Sequence, residues 1–95
     1  MPLGLLFSSL ADQWERETGP YSFLNDKVMH WAYQRIIGLG PEVIPFIFKR
    51  LEERPGHWYW ALESLTGEDP AQETETMAAA REAWLSWGRE HFYIP

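Results

Sequence analysis

Histidine and carboxylate are the side chains in this sequence best equipped for chemistry. The chain has three His (His30, His57 and His91), 14 Asp and Glu, and no Cys. Imidazole and carboxylate together can bind zinc or move protons, and two carboxylates set apart in pKa can run a hydrolase. Metal sites on helices usually announce themselves by ligands three or four residues apart, and none of the three His has a second His or a well-placed carboxylate at that spacing. The nearest pair is Asp26 with His30, where Asp26 reads more simply as a helix N-cap. Half of the acids fall on polar helix positions (Glu15, Glu17, Glu42, Glu52, Glu53, Glu63 and Glu82) and read as a solvated face. Asp12 with Arg16 and Lys49 with Glu53 have ion-pair spacing, worth only a few tenths of a kcal/mol. Gly38-Leu39-Gly40 lacks the preceding strand and following Gly-Lys-Ser/Thr of a phosphate loop, and Ser8, Ser9 and Ser64 have no His in register. The expectation is a protein that is not an enzyme, with no catalytic residues, no metal and no cofactor.

The elements that would carry these residues are helices. Phe7, Leu10, Ala11 and Trp14 recur at i, i+3, i+4, i+7, which puts four apolar groups on one helix face over Leu5 to Thr18, before a Gly19-Pro20 stop. Tyr21 to Asp26 reads as a connector. A second helix is predicted over about Lys27 to Ile37, with Met29, Ala32, Tyr33 and Ile36 inward. A third opens at Pro41 and buries Val43, Ile44, Ile47, Phe48 and Leu51, with a distorted first turn because Pro45 lacks an N–H. A fourth, with Trp58, Ala61, Leu62 and Leu65 inward, closes at Gly67. After a polar loop over Glu68 to Gln72, a fifth starts near Thr74 and runs to about Arg89 with Met77, Ala80, Trp84 and Trp87 inward. The apolar end, His91 to Pro95, is expected to pack back. No segment alternates like a strand.

Composition narrows the function. A chain of 95 residues is about the size of one domain, and 45% hydrophobic content with six Trp lies far from the disordered class. Absence of Cys removes disulfides and thiolate chemistry. No apolar run nears the roughly 20 residues of a membrane span, and the N-terminus lacks a basic signal-peptide region, so no membrane role and a cytoplasmic address are expected. The net charge of −6 argues against direct nucleic-acid binding, which needs clustered cations, and favours a basic protein partner.

An internal repeat is visible. Residues 31–41 align without gaps on residues 60–70, an offset of 29, matching Trp31 to Trp60, Ala32 to Ala61, Gly38 to Gly67 and Pro41 to Pro70, with Ile36 on Leu65. Outside this window Met29 falls on Trp58. Trp58, Tyr59 and Trp60 leave a helix about 100° apart, so with Trp58 inward Trp60 points largely away, and the same rotation sends Trp31 outward. The pair is expected either to form an exposed aromatic ladder or to be capped within the chain or a homodimer. The expected partner-binding residues are Trp31, Trp60, Tyr59, His57, Arg35 and Glu63.

Ala-rich helices ending in Leu-Gly, then Pro-Glu-Val-Ile-Pro-Phe-Ile and Ala61-Leu62-Glu63-Ser64-Leu65-Thr66-Gly67, resemble HEAT-like repeats over about Asp26 to Arg89. More narrowly, His57-Trp58-Tyr59-Trp60-Ala61-Leu62 and Ala83-Trp84-Leu85-Ser86-Trp87-Gly88 look like an uncharacterised family of small bacterial proteins, from which no activity carries over. The HEAT resemblance implies an interaction scaffold. The expected fold is all-α: about five helices in one domain over 1–95, a short HEAT-like α-solenoid of two helix pairs capped by an N-terminal helix. Residues 1–25 form that cap and connector, 26–54 repeat 1, and 55–95 repeat 2 with a C-terminal cap. The expected function is a small non-enzymatic protein-protein interaction module, one form of which is an acidic inhibitor or antitoxin-like protein. The alternative is a metal- or carboxylate-dependent hydrolase using His30, His57 or His91.

Overall fold

Local signals place the helix ends. The computed structural model describes residues 2–19 and 23–95, and every regular element among them is helical: α1 (Leu3–Thr18), α2 (Leu24–Val28), α3 (Trp31–Gly38), a 3-10 turn (Pro41–Val43), α4 (Ile44–Glu53), α5 (Tyr59–Thr66) and α6 (Met77–Glu90). The chain divides into two compact units, Met1–Val43 and Ile44–Pro95. No helix among the described residues is long and apolar enough to cross a membrane.

In the first unit α1 lies against α3, and the four-point face of α1 (Phe7, Leu10, Ala11 and Trp14) is buried as its spacing predicts. Ala32, Tyr33 and Ile36 are the buried face of α3, and the Trp14 and Tyr33 rings meet at 4.9 Å and 50°. Two carbonyls at the end of α2 take side-chain donors, that of Lys27 in addition to the His30 N–H at 3.3 Å. The Trp14 indole N–H donates to the Lys27 carbonyl and the Gln34 amide to the Val28 carbonyl, both at 2.7 Å.

The stretch expected as one helix over Lys27 to Ile37 is two, and so six α-helices stand among the described residues where about five were expected. His30 is the reason. Its backbone is extended (φ −58°, ψ 139°), and its Nδ1 accepts the Ala32 N–H at 3.1 Å, so it caps α3 instead of continuing α2. Met29, thereby outside the helix, is exposed and not inward. Of the expected connector, residues 21 and 22 lie outside the described residues, as does Pro20, and α2 already begins at Leu24.

The second unit is built on α4. Ile44, Ile47, Phe48 and Leu51 form its buried stripe, and the distortion expected from Pro41 and Pro45 takes the form of the 3-10 turn that precedes it. Pro45 is thus in the first turn of α4, where a missing N–H loses no helix bond. Helix α5 ends at Gly67, whose φ of 73° is left-handed and whose N–H donates to the Glu63 carbonyl at 2.8 Å. Thr76, not Thr74, starts α6: its hydroxyl accepts the Ala79 N–H at 3.0 Å, which leaves Met77 exposed at the first turn instead of inward. Phe48 is central. Its ring stacks on Trp87 (5.9 Å, 17°) and Tyr93 (5.5 Å, 14°) and tilts against Trp84 (6.3 Å, 53°). Arg81 joins α6 to α4, its Nε and Nη2 donating to the Leu51 carbonyl (3.1 and 2.9 Å) and Nη2 also to that of Glu52 (2.9 Å). A delocalised cation there satisfies the last carbonyls of α4 and meets the negative end of its dipole. Of the apolar C-terminal end, Ile94 is buried and Tyr93 half-buried, while Phe92 is fully out.

Candidate functional site

His30 belongs to the first unit, and His57 and His91 to the second. His30 spans the ends of α1 and α3: since Nδ1 accepts an N–H, Nε2 carries the proton of the neutral ring and donates to Glu17 Oε1 at 2.9 Å. His57 is half-buried in the lead-in to α5. His91, just past α6, stacks on Trp87 at 3.9 Å with Nδ1 at 2.8 Å from the Trp87 carbonyl. Among the described residues no three His, Asp or Glu side chains are grouped so as to hold a metal ion.

The exposed aromatic residues are the more distinctive feature. In the first unit Trp31 is 54% exposed at the start of α3, with the His30 ring 5.7 Å away. Arg35 lies four residues on, on the same helix face, and is exposed. In the second unit Trp60 is 43% exposed on α5, one turn before exposed Glu63. Ala32 and Ala61 are both buried, as are Tyr33 and Leu62, and Trp31 and Trp60 are both exposed, but Gly38 lies within α3 where Gly67 is the left-handed cap of α5, and Pro41 opens a 3-10 turn where Pro70 opens no helix. The equivalence fails at Met29, exposed, against Trp58, buried, because Met29 falls in the break between α2 and α3. Of the six residues expected to bind a partner, Trp31 and Arg35 belong to one unit, and His57, Tyr59, Trp60 and Glu63 to the other.

Tyr59 does something its sequence position did not announce. It lines a cavity of about 350 Å³ with Pro55, Met77, Ala78, Arg81 and Glu82, and its hydroxyl donates weakly to the Met77 carbonyl at 3.4 Å. Burial pushes the Tyr59 phenol up, with the Arg81 charge pulling it down. The cavity draws on the α4–α5 connection and two turns of α6, so no local motif marks it.

Two carboxylates respond to their surroundings in opposite directions. The Gln13 amide, donating at 2.7 Å, and then the His30 ring hold Glu17 below its ordinary 4.5. Partial burial, and then the negative charge of Asp69, push Glu63 above it. Asp69 is pinned by the Ala71 N–H at 3.1 Å. The two linkages carry opposite signs. Glu17 contributes stability above its unfolded pKa that is lost as pH falls through the lower folded value. Glu63 costs stability once ionised and returns it on acidification. Glu17→Gln is therefore expected to lower the melting temperature at pH 7 and to narrow its gap to the parent near pH 3. Glu63→Gln should raise or preserve it at pH 7 and lose that advantage in acid. Thermal melts from pH 3 to pH 8 check both, and the same sign for the two variants would contradict these placements.

No family model, curated protein or solved structure matches the chain.

Proposed function

We propose that this chain is a small non-enzymatic protein-protein interaction module of the cytoplasm, which holds a basic protein partner through Trp31 and Trp60. The observation that carries the reading is the exposure of both indoles at repeat-equivalent positions, when Trp14, Trp58 and Trp84 are buried in the same chain. An indole in water is apolar area left uncovered, and such side chains dominate binding hot spots because they bury much surface and lose little rotamer freedom. Net charge −6 supports a partner rich in Arg and Lys, with Glu63 beside Trp60 as a rim contact and His57, Tyr59 and Arg35 completing the two patches. An inhibitor or antitoxin-like protein acting on a basic toxin is one concrete form. The correspondence at an offset of 29 residues supports the HEAT-like reading of the helix pairs.

Replacing both Trp31 and Trp60 with Gln tests this. Exposed positions away from special features change stability by within about 0.5 kcal/mol, so helicity and melting temperature should hold while partner capture is lost. Affinity capture with the parent and the double variant, followed by calorimetry on whatever the parent retains, reads the outcome. A variant that melts far earlier returns both indoles to a structural role, and an intact variant that captures the same partner overturns the reading.

A further inference from the structure

Helix α6 closes in a Schellman turn, with the Phe92 N–H donating to the Arg89 carbonyl at 3.2 Å and the Tyr93 N–H to the Gly88 carbonyl at 2.9 Å. The residue between cap and exit is left-handed in such a turn, and Gly is usual there because a Cβ is strained. Here it is Phe92, with φ 64°. Its ring is 93% exposed, so the turn's hydrogen bonds hold the conformation with no packing of the ring against the described residues to help them. Strained, displayed residues are a reason to look for function.

A receptor for the ring exists at the other end of the same helix, in the cavity between Pro55, Tyr59, Met77 and Ala78. With 14 residues α6 is about 20 Å long, so Phe92 does not reach its own cavity. A second copy lying antiparallel brings the two ends together. Exposed Ala78, Glu82, Ser86 and Arg89 follow one another at intervals of four and three and form one stripe between the ends. Glu82 has only a loose contact with Arg81 at 3.9 Å, and Arg89 has no ion partner among the described residues. A two-fold axis at the level of Leu85 and Ser86 sets Glu82 opposite Arg89 of the second copy. The same register lays Phe92 beside Ala78 and Ala79 of the second copy, at the mouth of the cavity. One alignment satisfies both the charges and the ring.

We propose that the chain forms an antiparallel homodimer through this stripe, each Phe92 seated in the other copy's cavity and each Glu82 paired with the other copy's Arg89. The contact is isologous and closes on itself, so it yields dimers and not filaments. Local charge complementarity counters the repulsion between two chains of net charge −6. Tyr59 is shared with the proposed partner surface, but the residues that test the dimer, Phe92, Glu82 and Arg89, are not, so failure of one reading is distinguishable from failure of the other.

Sedimentation velocity on the purified full chain, from about 1 to about 200 µM, tests it. The parent should pass from monomer to dimer across the series. Phe92→Gly should weaken the dimer by about tenfold or more while melting no earlier at the dilute end, because Gly suits the left-handed turn. Glu82→Arg and Arg89→Glu should each weaken it, and the two together should restore it, since every contact pairs one with the other across the axis. A parent that stays monomeric throughout, a Phe92→Gly variant that dimerises equally well, or a double variant no tighter than either single one overturns the proposal.

Discussion

Trp84→Ala is expected to unfold the unit built on α4, α5 and α6 near room temperature. Trp84 is wholly buried, edge-on to Trp87 at 5.7 Å and 69° and tilted against Phe48. Removing a large buried aromatic costs about 3 to 5 kcal/mol, close to the whole stability of a small domain. The indole N–H adds a second expectation. It is buried without an acceptor among the described residues, and an unsatisfied donor of that kind costs about 1 to 3 kcal/mol. Trp84→Phe removes that donor while keeping most of the ring, so it should cost far less than the Ala change. Urea titrations followed by circular dichroism read both. An Ala variant with an unchanged midpoint would show that the site is not core, and a Phe variant as damaged as the Ala variant would remove the orphan N–H from the argument.

The second large effect is expected at Gly88, where the added group is a single methyl. A Cβ built there would lie 2.8 Å from both Cδ1 and Cε1 of Phe48. Phe48 has nowhere to retreat, being buried and stacked on Trp87 and Tyr93. Helix propensity alone favours Ala over Gly by about 1 kcal/mol, but overpacking a filled core costs about 1 to 3. Sterics should win, with Gly88→Ala net destabilising. Gly38 is the control: it ends α3, and an added Cβ meets nothing within 4 Å, so Gly38→Ala should be neutral or stabilising. Adding Phe48→Leu to Gly88→Ala should recover part of the loss by making room. Melting temperatures of the four proteins check the pattern, and a stabilised Gly88→Ala would contradict the placement of Phe48.

Periodicity located the buried faces of α1 and α4 because amphipathic spacing is a direct record of burial. The boundaries it missed were set by side chains acting on backbone groups. His30 divides one apolar pattern into α2 and α3 by accepting a single N–H, which no hydrophobic count registers. Thr76 displaces the expected start of α6 from Thr74, and Met77 moves from the core to the surface with it. Trp60 is exposed as its rotation from buried Trp58 has it, and Trp31 is exposed too, although Met29, expected inward in reckoning its rotation, is itself exposed. Phe92 was hidden because Gly, not Phe, is the signal for a left-handed helix exit. The cavity at Tyr59 was hidden because its walls come from residues 55 to 82, brought together by the Arg81 fork, the packing of α6 on α4 and the Tyr59–Met77 contact. The ring proton on His30 that faces Glu17 was hidden because it needed the three-dimensional acceptor at Nδ1.

The uneven burial of the tryptophans gives the chain its own optical labels. Trp14, Trp58 and Trp84 sit away from water and should emit toward the blue, while Trp31 and Trp60 emit toward the red and are open to dissolved quenchers. Their surroundings differ in sign: Arg35 shares a helix face with Trp31, and Glu63 with Trp60. Iodide therefore concentrates at the first and caesium at the second. A partner that covers one patch silences one ion's quenching and leaves the other's, so intrinsic fluorescence alone reports which unit has been engaged.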